Sequence, residues 1–205
     1  MNECIFSADR IYRYVLRCRC TDSAAENTPS PTFVGCNLER PRYCTTPILQ
    51  HHARQNLRTR TSTKVLATHK RIAWIGLNPS TADEVTLDQT LATVCRYSRK
   101  WGFAEVVMLN LFAFRATDPR DLKRATDPIG PDNDEHLQTE VRNVDRVIAC
   151  WGGQGRFLER DRQVSDLLKV PFECLLRNRT GAPHHPLYLK SRIRPKPFRL
   201  DQIRN

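Results

Sequence analysis

The chain has 205 residues, is 40% hydrophobic and carries a formal net charge of +11. That length accommodates one domain with a full core and excludes two comfortable ones. No apolar run approaches the ~20 residues that span a bilayer, and Glu3 without an apolar h-region is not a secretory signal, so a cytoplasmic location and no membrane partner are expected.

Residues 10–17, "RIYRYVLR", mix aromatic, β-branched and basic side chains in the manner of a strand. Residues 18–69 then lose all periodicity, with loop text such as "ENTPSPT" and "RQNLRTRTSTK". So long a structureless connection inside a domain reads as an inserted or disordered segment. Five of the 8 cysteines, Cys4, Cys18, Cys20, Cys36 and Cys44, lie in this early region. Their spacing, C-x-C and then a wide gap, does not fit a zinc knuckle, so no metal is expected. Cys95, Cys150 and Cys174 sit in apolar patterns and read as small core residues.

From residue 71 the text becomes orderly. Strands are predicted at 72–76, 105–111, 146–151 and 172–176, and helices at 88–101 and 156–169. Gly102 closes the first helix. Two further helix starts are marked by Thr117 or Asp118 before Pro119, and by Pro131 with an acidic first turn. The alternation implies an α/β fold, a mostly parallel four-stranded sheet with helices on both faces and an extra N-terminal strand. The organisation is then 1–17 as that strand, 18–69 as the insertion, 71–190 as the α/β core and 191–205 as a basic tail. Charge follows it: residues 1–70 hold a net +6, 71–176 a net −2 and 177–205 a net +7. A basic end supplies phosphate contacts or is simply solvated.

In such sheets ligands bind beyond the carboxyl ends of the strands. Four loops should meet there: "GLNPSTAD", "NLFAFRATD", "WGGQG" and "RNRTGAPHHPLYL". Gly76 permits close backbone approach, Pro79 biases Asn78 toward an extended backbone, and Asn78, Ser80 and Thr81 offer polar groups. The plainer reading is an Asn-Pro turn that ends a strand. Asn110 breaks the apolar run "VVMLNLF", so it is either a satisfied sheet-end residue or a ligand reader, since an unpaired buried amide costs ~1–3 kcal/mol. "WGGQG" before a helix suits an anion, yet lacks the Lys-Ser/Thr of a P-loop, and glycines needed for a tight turn explain it more simply. His184 and His185 lie in the last loop, and one of them can work at the rim. Asp83, Glu84 and Asp88 suit a base or a metal, but a helix N-terminus accounts for their acidity. No cofactor motif stands out.

The motifs "IGLNPSTAD", "RKWGF", "LNLFAFRATDP", "DPIGPDND", "WGGQG" and "HPLYL", in this order, resemble the family called domain of unknown function 1643. "YRYVL" is similar to that family's opening strand, and the resemblance covers residues 10–17 and about 71–190. Members usually have a much shorter connection where this chain has 18–69.

The order of rim motifs is also similar, more distantly, to the uracil-DNA glycosylase superfamily. Gly76-Leu77-Asn78-Pro79 resembles its Gly-x-Asp/Asn-Pro strand end, Asn110 its base-reading Asn, and His185-Pro186-Leu187 its His-Pro-Ser loop. That resemblance implies a flipped nucleotide, with Asn78 positioning water and His185 stabilising the departing base. It implies that Gly76, Pro79, Ser80, Asn110, Pro186, Leu187 and Tyr188 shape the base pocket, Leu187 or Tyr188 filling the vacated stack. Arg177, Arg179, Lys190, Arg192 and Arg194 would hold phosphates. The expected partner is DNA or a nucleotide, and no cofactor is needed. The chain lacks an Asp at the water-positioning place and the Ser of His-Pro-Ser. Three functions stay open: hydrolysis of an N-glycosidic bond, binding of a nucleotide or nucleic acid without chemistry, and rim residues that serve folding only.

Overall fold

Trp74 and Ile75 are adjacent, and both are fully buried. Successive strand side chains face opposite ways, so the sheet that holds them must be covered on both faces. A computed structural model of the chain describes residues 3–20, 70–80, 89–187, 189–190 and 192–203. The reading of the insertion falls outside these residues, except for its first three positions.

The sheet has seven strands, ordered β1-β2-β4-β3-β5-β6-β7. They are β1 Glu3–Phe6, β2 Arg13–Arg19, β3 Arg71–Gly76, β4 Glu105–Asn110, β5 Arg146–Ala149, β6 Phe172–Cys174 and β7 Lys196–Phe198. β4, β3, β5 and β6 form the parallel centre foreseen from the sequence. The expected extra N-terminal strand is β2, and the strand count needs correction because β1 and β7 add an antiparallel strand at each margin. β1 is a four-residue edge, β2 runs two residues into the segment read as insertion, and β7 comes from the segment read as a basic tail.

The chain steps from β3 to β4 on one side and later to β5 and β6 on the other, so its helices fall on opposite faces. α1, Gln89–Lys100, packs Leu91, Val94 and Tyr97 against Ile72, Trp74, Val106 and Met108. Trp74 Nε1 donates to Ser98 Oγ at 2.9 Å, and its ring stacks on Trp101 at 5.7 Å. Gly102, at φ +84°, ends the helix in a conformation that favours glycine. On the other face, α2 Pro119–Arg124, α3 Asn133–Val141 and α4 Arg160–Leu168 bury Leu122, Leu137, Val141 and Val164 against Ala73, Ile75, Val107 and Leu109. Asp118, not Thr117, caps α2 by accepting from Arg120 N.

The single helix expected at 156–169 is two pieces. A 3-10 helix, Gly153–Glu159, meets α4 through Leu158 and Glu159, both in the left-handed region at φ 53° and 52°. The C-terminal segment joins the core: Phe198 and Ile203 are buried, and Phe198 meets Trp151 edge to face at 5.8 Å.

Candidate functional site

β3 and β4 finish in register, Gly76 beside Asn110. The backbone beyond them stays paired, with Leu111 N donating to Gly76 O, Phe112 N to Leu77 O and Ala116 N to Pro79 O. The strand ends therefore pass into two loops that run side by side. A Cβ on Gly76 would lie 2.8 Å from Asn110 Oδ1, so glycine is what lets the Asn110 amide lie across the strand end. Asn133, at the start of α3, donates to the carbonyls of Asn110 and Leu111, and Arg160 Nε donates to Leu111 O at 2.8 Å. Asn110 is thus held through its backbone.

Its side chain is the unusual group. Asn110 is 3% exposed, and among the described residues no side chain or backbone group bonds its amide. It lines a cleft of about 370 Å³ at the carboxyl ends of the strands. Gly76, Asn78 and Ser80 come to this cleft from the first loop, Ala116 and Thr117 from the second, Trp151 to Gln154 from the third, and His185 from the fourth. All four loops read as rim loops contribute.

Asn78 is tethered. Its Nδ2 donates to Ala116 O at 2.8 Å and to Pro79 O at 3.1 Å. Both acceptors are carbonyls, so the amide orientation is fixed chemically: the reverse flip would set oxygen against oxygen. The turn-forming bonds use the amide nitrogen alone, and Asn78 also lines the cleft.

The last loop is pinned from within. Asn178 Oδ1 accepts from Thr180 N, Thr180 Oγ1 and Ala182 N, and Gly152 N donates to Pro183 O at 2.9 Å. The third and fourth loops are therefore joined directly. His184 Nδ1 faces His185 O at 2.8 Å, so that nitrogen must carry the proton. His185 Nδ1 accepts from Leu187 N at 3.4 Å, which puts the proton of the neutral ring on Nε2 as a donor. Of the two adjacent histidines, it is His185 that reaches the cleft.

Other expected residues fall elsewhere. Pro79 and Pro186 are buried and Leu187 is half-buried, none of them lining the cleft, and Tyr188 lies outside the described residues. Thr81, Asp83, Glu84 and Asp88 also lie outside them. Arg177 donates to Pro197 O at 3.1 Å and sits over the Phe198 ring, so it fastens β7. Arg179, Lys190, Arg192 and Arg194 are exposed and off the cleft lining.

Sequence reasoning missed Arg13. It is 5% exposed at the start of β2 and lines the cleft with Leu16, bringing a guanidinium into the wall. The described lining contains no carboxylate. Among the described residues, no cluster of three His, Cys, Asp or Glu side chains suits a metal ion, and no helix is long and apolar enough to cross a membrane.

One family model, for a protein family of unknown function (DUF1643), matches residues 57–187. The match starts inside the segment read as insertion and leaves out β2. No curated protein and no solved structure matches the chain.

Proposed function

The chain belongs to the DUF1643 family, and from the geometry of its cleft we propose that it binds a nucleobase there and hydrolyses the base's N-glycosidic bond, in DNA or in a nucleotide. The observation that carries this reading is the Asn110 amide, buried, without a protein partner among the described residues, and facing the cleft. An amide offers a donor and an acceptor side by side, which matches the edge of a base. A base edge seated in the cleft can pair with both of these groups.

Asn78 and His185 fit the chemistry on either side. Asn78 Oδ1 accepts a hydrogen bond from a water and holds it in line with the sugar carbon. The water oxygen bonds to that carbon as the bond to the base breaks, and the bonding pair leaves with the base. His185 donates from Nε2 to the base as its negative charge grows. One proton of the water ends on the departing base. The similarity of the three rim motifs to the uracil-DNA glycosylase superfamily supports the same roles.

A second reading, binding without cleavage, is favoured by one feature: the described lining offers no carboxylate to activate a water. One assay separates the two. The protein, Asn78→Ala and His185→Ala are incubated with single- and double-stranded oligonucleotides carrying deaminated, alkylated or hypermodified bases, and abasic sites are scored. Release by the parent and its loss in both variants is expected. Background release by all three across the panel overturns hydrolysis, and salt-dependent binding without release establishes the second reading.

A further inference from the structure

Cys18-Arg19-Cys20 closes β2, and residues two apart on a strand face the same way. Cys20 N donates to Ala104 O at 2.8 Å, which carries the extended pairing one residue further. Both thiols pack against the core beneath α1, where Cys95 also lies. Cys95 Sγ is 3.4 Å from Cys18 Sγ, and Cys95 is hydrogen-bonded to Cys20 as well. Three free thiols from two elements therefore meet at one point. Cys18 is buried, whereas Cys20 and Cys95 are partly exposed, so a small reagent reaches the cluster.

We propose that Cys18, Cys20 and Cys95 form a reversible oxidation site, in which Cys95 joins one of the two strand thiols in a disulfide when the protein meets a peroxide. The three thiols are not equivalent. The hydrogen bonds from Cys95 lower the Cys18 and Cys20 thiols and raise its own, and Cys20 is the more exposed of the two strand thiols. The thiolate is the nucleophile, so attack starts from the strand and Cys95 resolves. The strand sulfur bonds to a peroxide oxygen as the O–O bond breaks, which gives a sulfenic acid and water. Cys95 sulfur then bonds to that sulfur, the S–O bond breaks and a second water leaves. Two thiols lose two electrons and two protons, and the peroxide accepts them.

The site lies against the cleft wall. Leu91 lines the cleft one helical turn before Cys95 on α1, and β2 carries Arg13 and Leu16. A disulfide would lock these two elements together beside the ligand. The proposal does not depend on what that ligand is.

The test is peptide mapping of the full chain, reduced and then treated with hydrogen peroxide, with free thiols alkylated before denaturation. Trypsin cuts after Arg19 and so separates the two strand thiols; the peptide that begins at Cys20 runs on through Cys36, and fragment-ion sequencing assigns the link to one or the other. The expected product is the Cys95 peptide linked to one of them, lost on treatment with a thiol reductant. Cys150 is the internal control, since complete burial raises its thiol and keeps it inert. Cys18→Ser and Cys20→Ser should each redirect the link to the remaining strand thiol, and the double variant should abolish it. Cys95 still alkylated after peroxide in the folded wild type, or linked only to Cys36 or Cys44, overturns the proposal whatever the variants do.

Discussion

Asn78 shows how one side chain can serve the fold and the site together. Its amide hydrogens hold the loop through Pro79 O and Ala116 O, and the residue also lines the cleft. Asn78→Asp removes both donors and sets a carboxylate against two carbonyls. It should therefore destabilise the protein by about 1–3 kcal/mol, read from the denaturant midpoint. No faster base release should accompany it; a stable and faster variant would show that the tether is unimportant. Asn110 was visible in the sequence because an amide inside an apolar run must be explained. Arg13 was not, because β2 mixes basic and aromatic residues along its length, and periodicity alone does not say which arginine turns inward.

The elements divide in the same way. The four parallel strands were legible because strands buried on both faces read as continuous apolar runs. β7 is as short as β6 but lies in the basic, proline-broken text "RPKPFRL" where β6 opens the apolar run "FECLL", and β1 is a four-residue edge that starts on Glu3. The break between the 3-10 helix and α4 was hidden for another reason. Leu158 and Glu159 are ordinary helix formers, and tertiary packing overrides that propensity. Phe157, just before the break, packs against Phe112 at 5.6 Å, and Gln163 Nε2 donates to Leu158 O. The exposed Glu159 bears a left-handed backbone at φ 52°. Glu159→Gly should relieve that strain and raise stability by about 1 kcal/mol, measured by denaturation. A loss of stability would mean that the Glu159 side chain contributes more than the strain costs.

At the scale of the molecule, the basic C-terminal stretch supplies both an edge strand and a run of charge, which a crude truncation would remove together. Deleting residues 196–205 removes β7 together with the buried Phe198 and Ile203, and exposes the edge of Trp151. The loss should be at least ~3 kcal/mol, by comparison with large-to-small core changes, and should be seen as a lowered melting temperature. Charge is tested separately by Arg192→Ala and Arg194→Ala, which lie outside the strand and are exposed. If they touch phosphates, the double variant should flatten the salt dependence of nucleic-acid binding without moving the melting temperature; an unchanged slope would remove them from the interface. The same two ends of the chain decide how the sheet stops. One margin, β1, is short and irregular between Ile5 and Phe6, and the other carries Lys196 and Pro197. Short length, irregular pairing, a charge and a residue without an N–H all discourage a stranger's strand from docking alongside. The protein is thereby guarded against edge-to-edge aggregation.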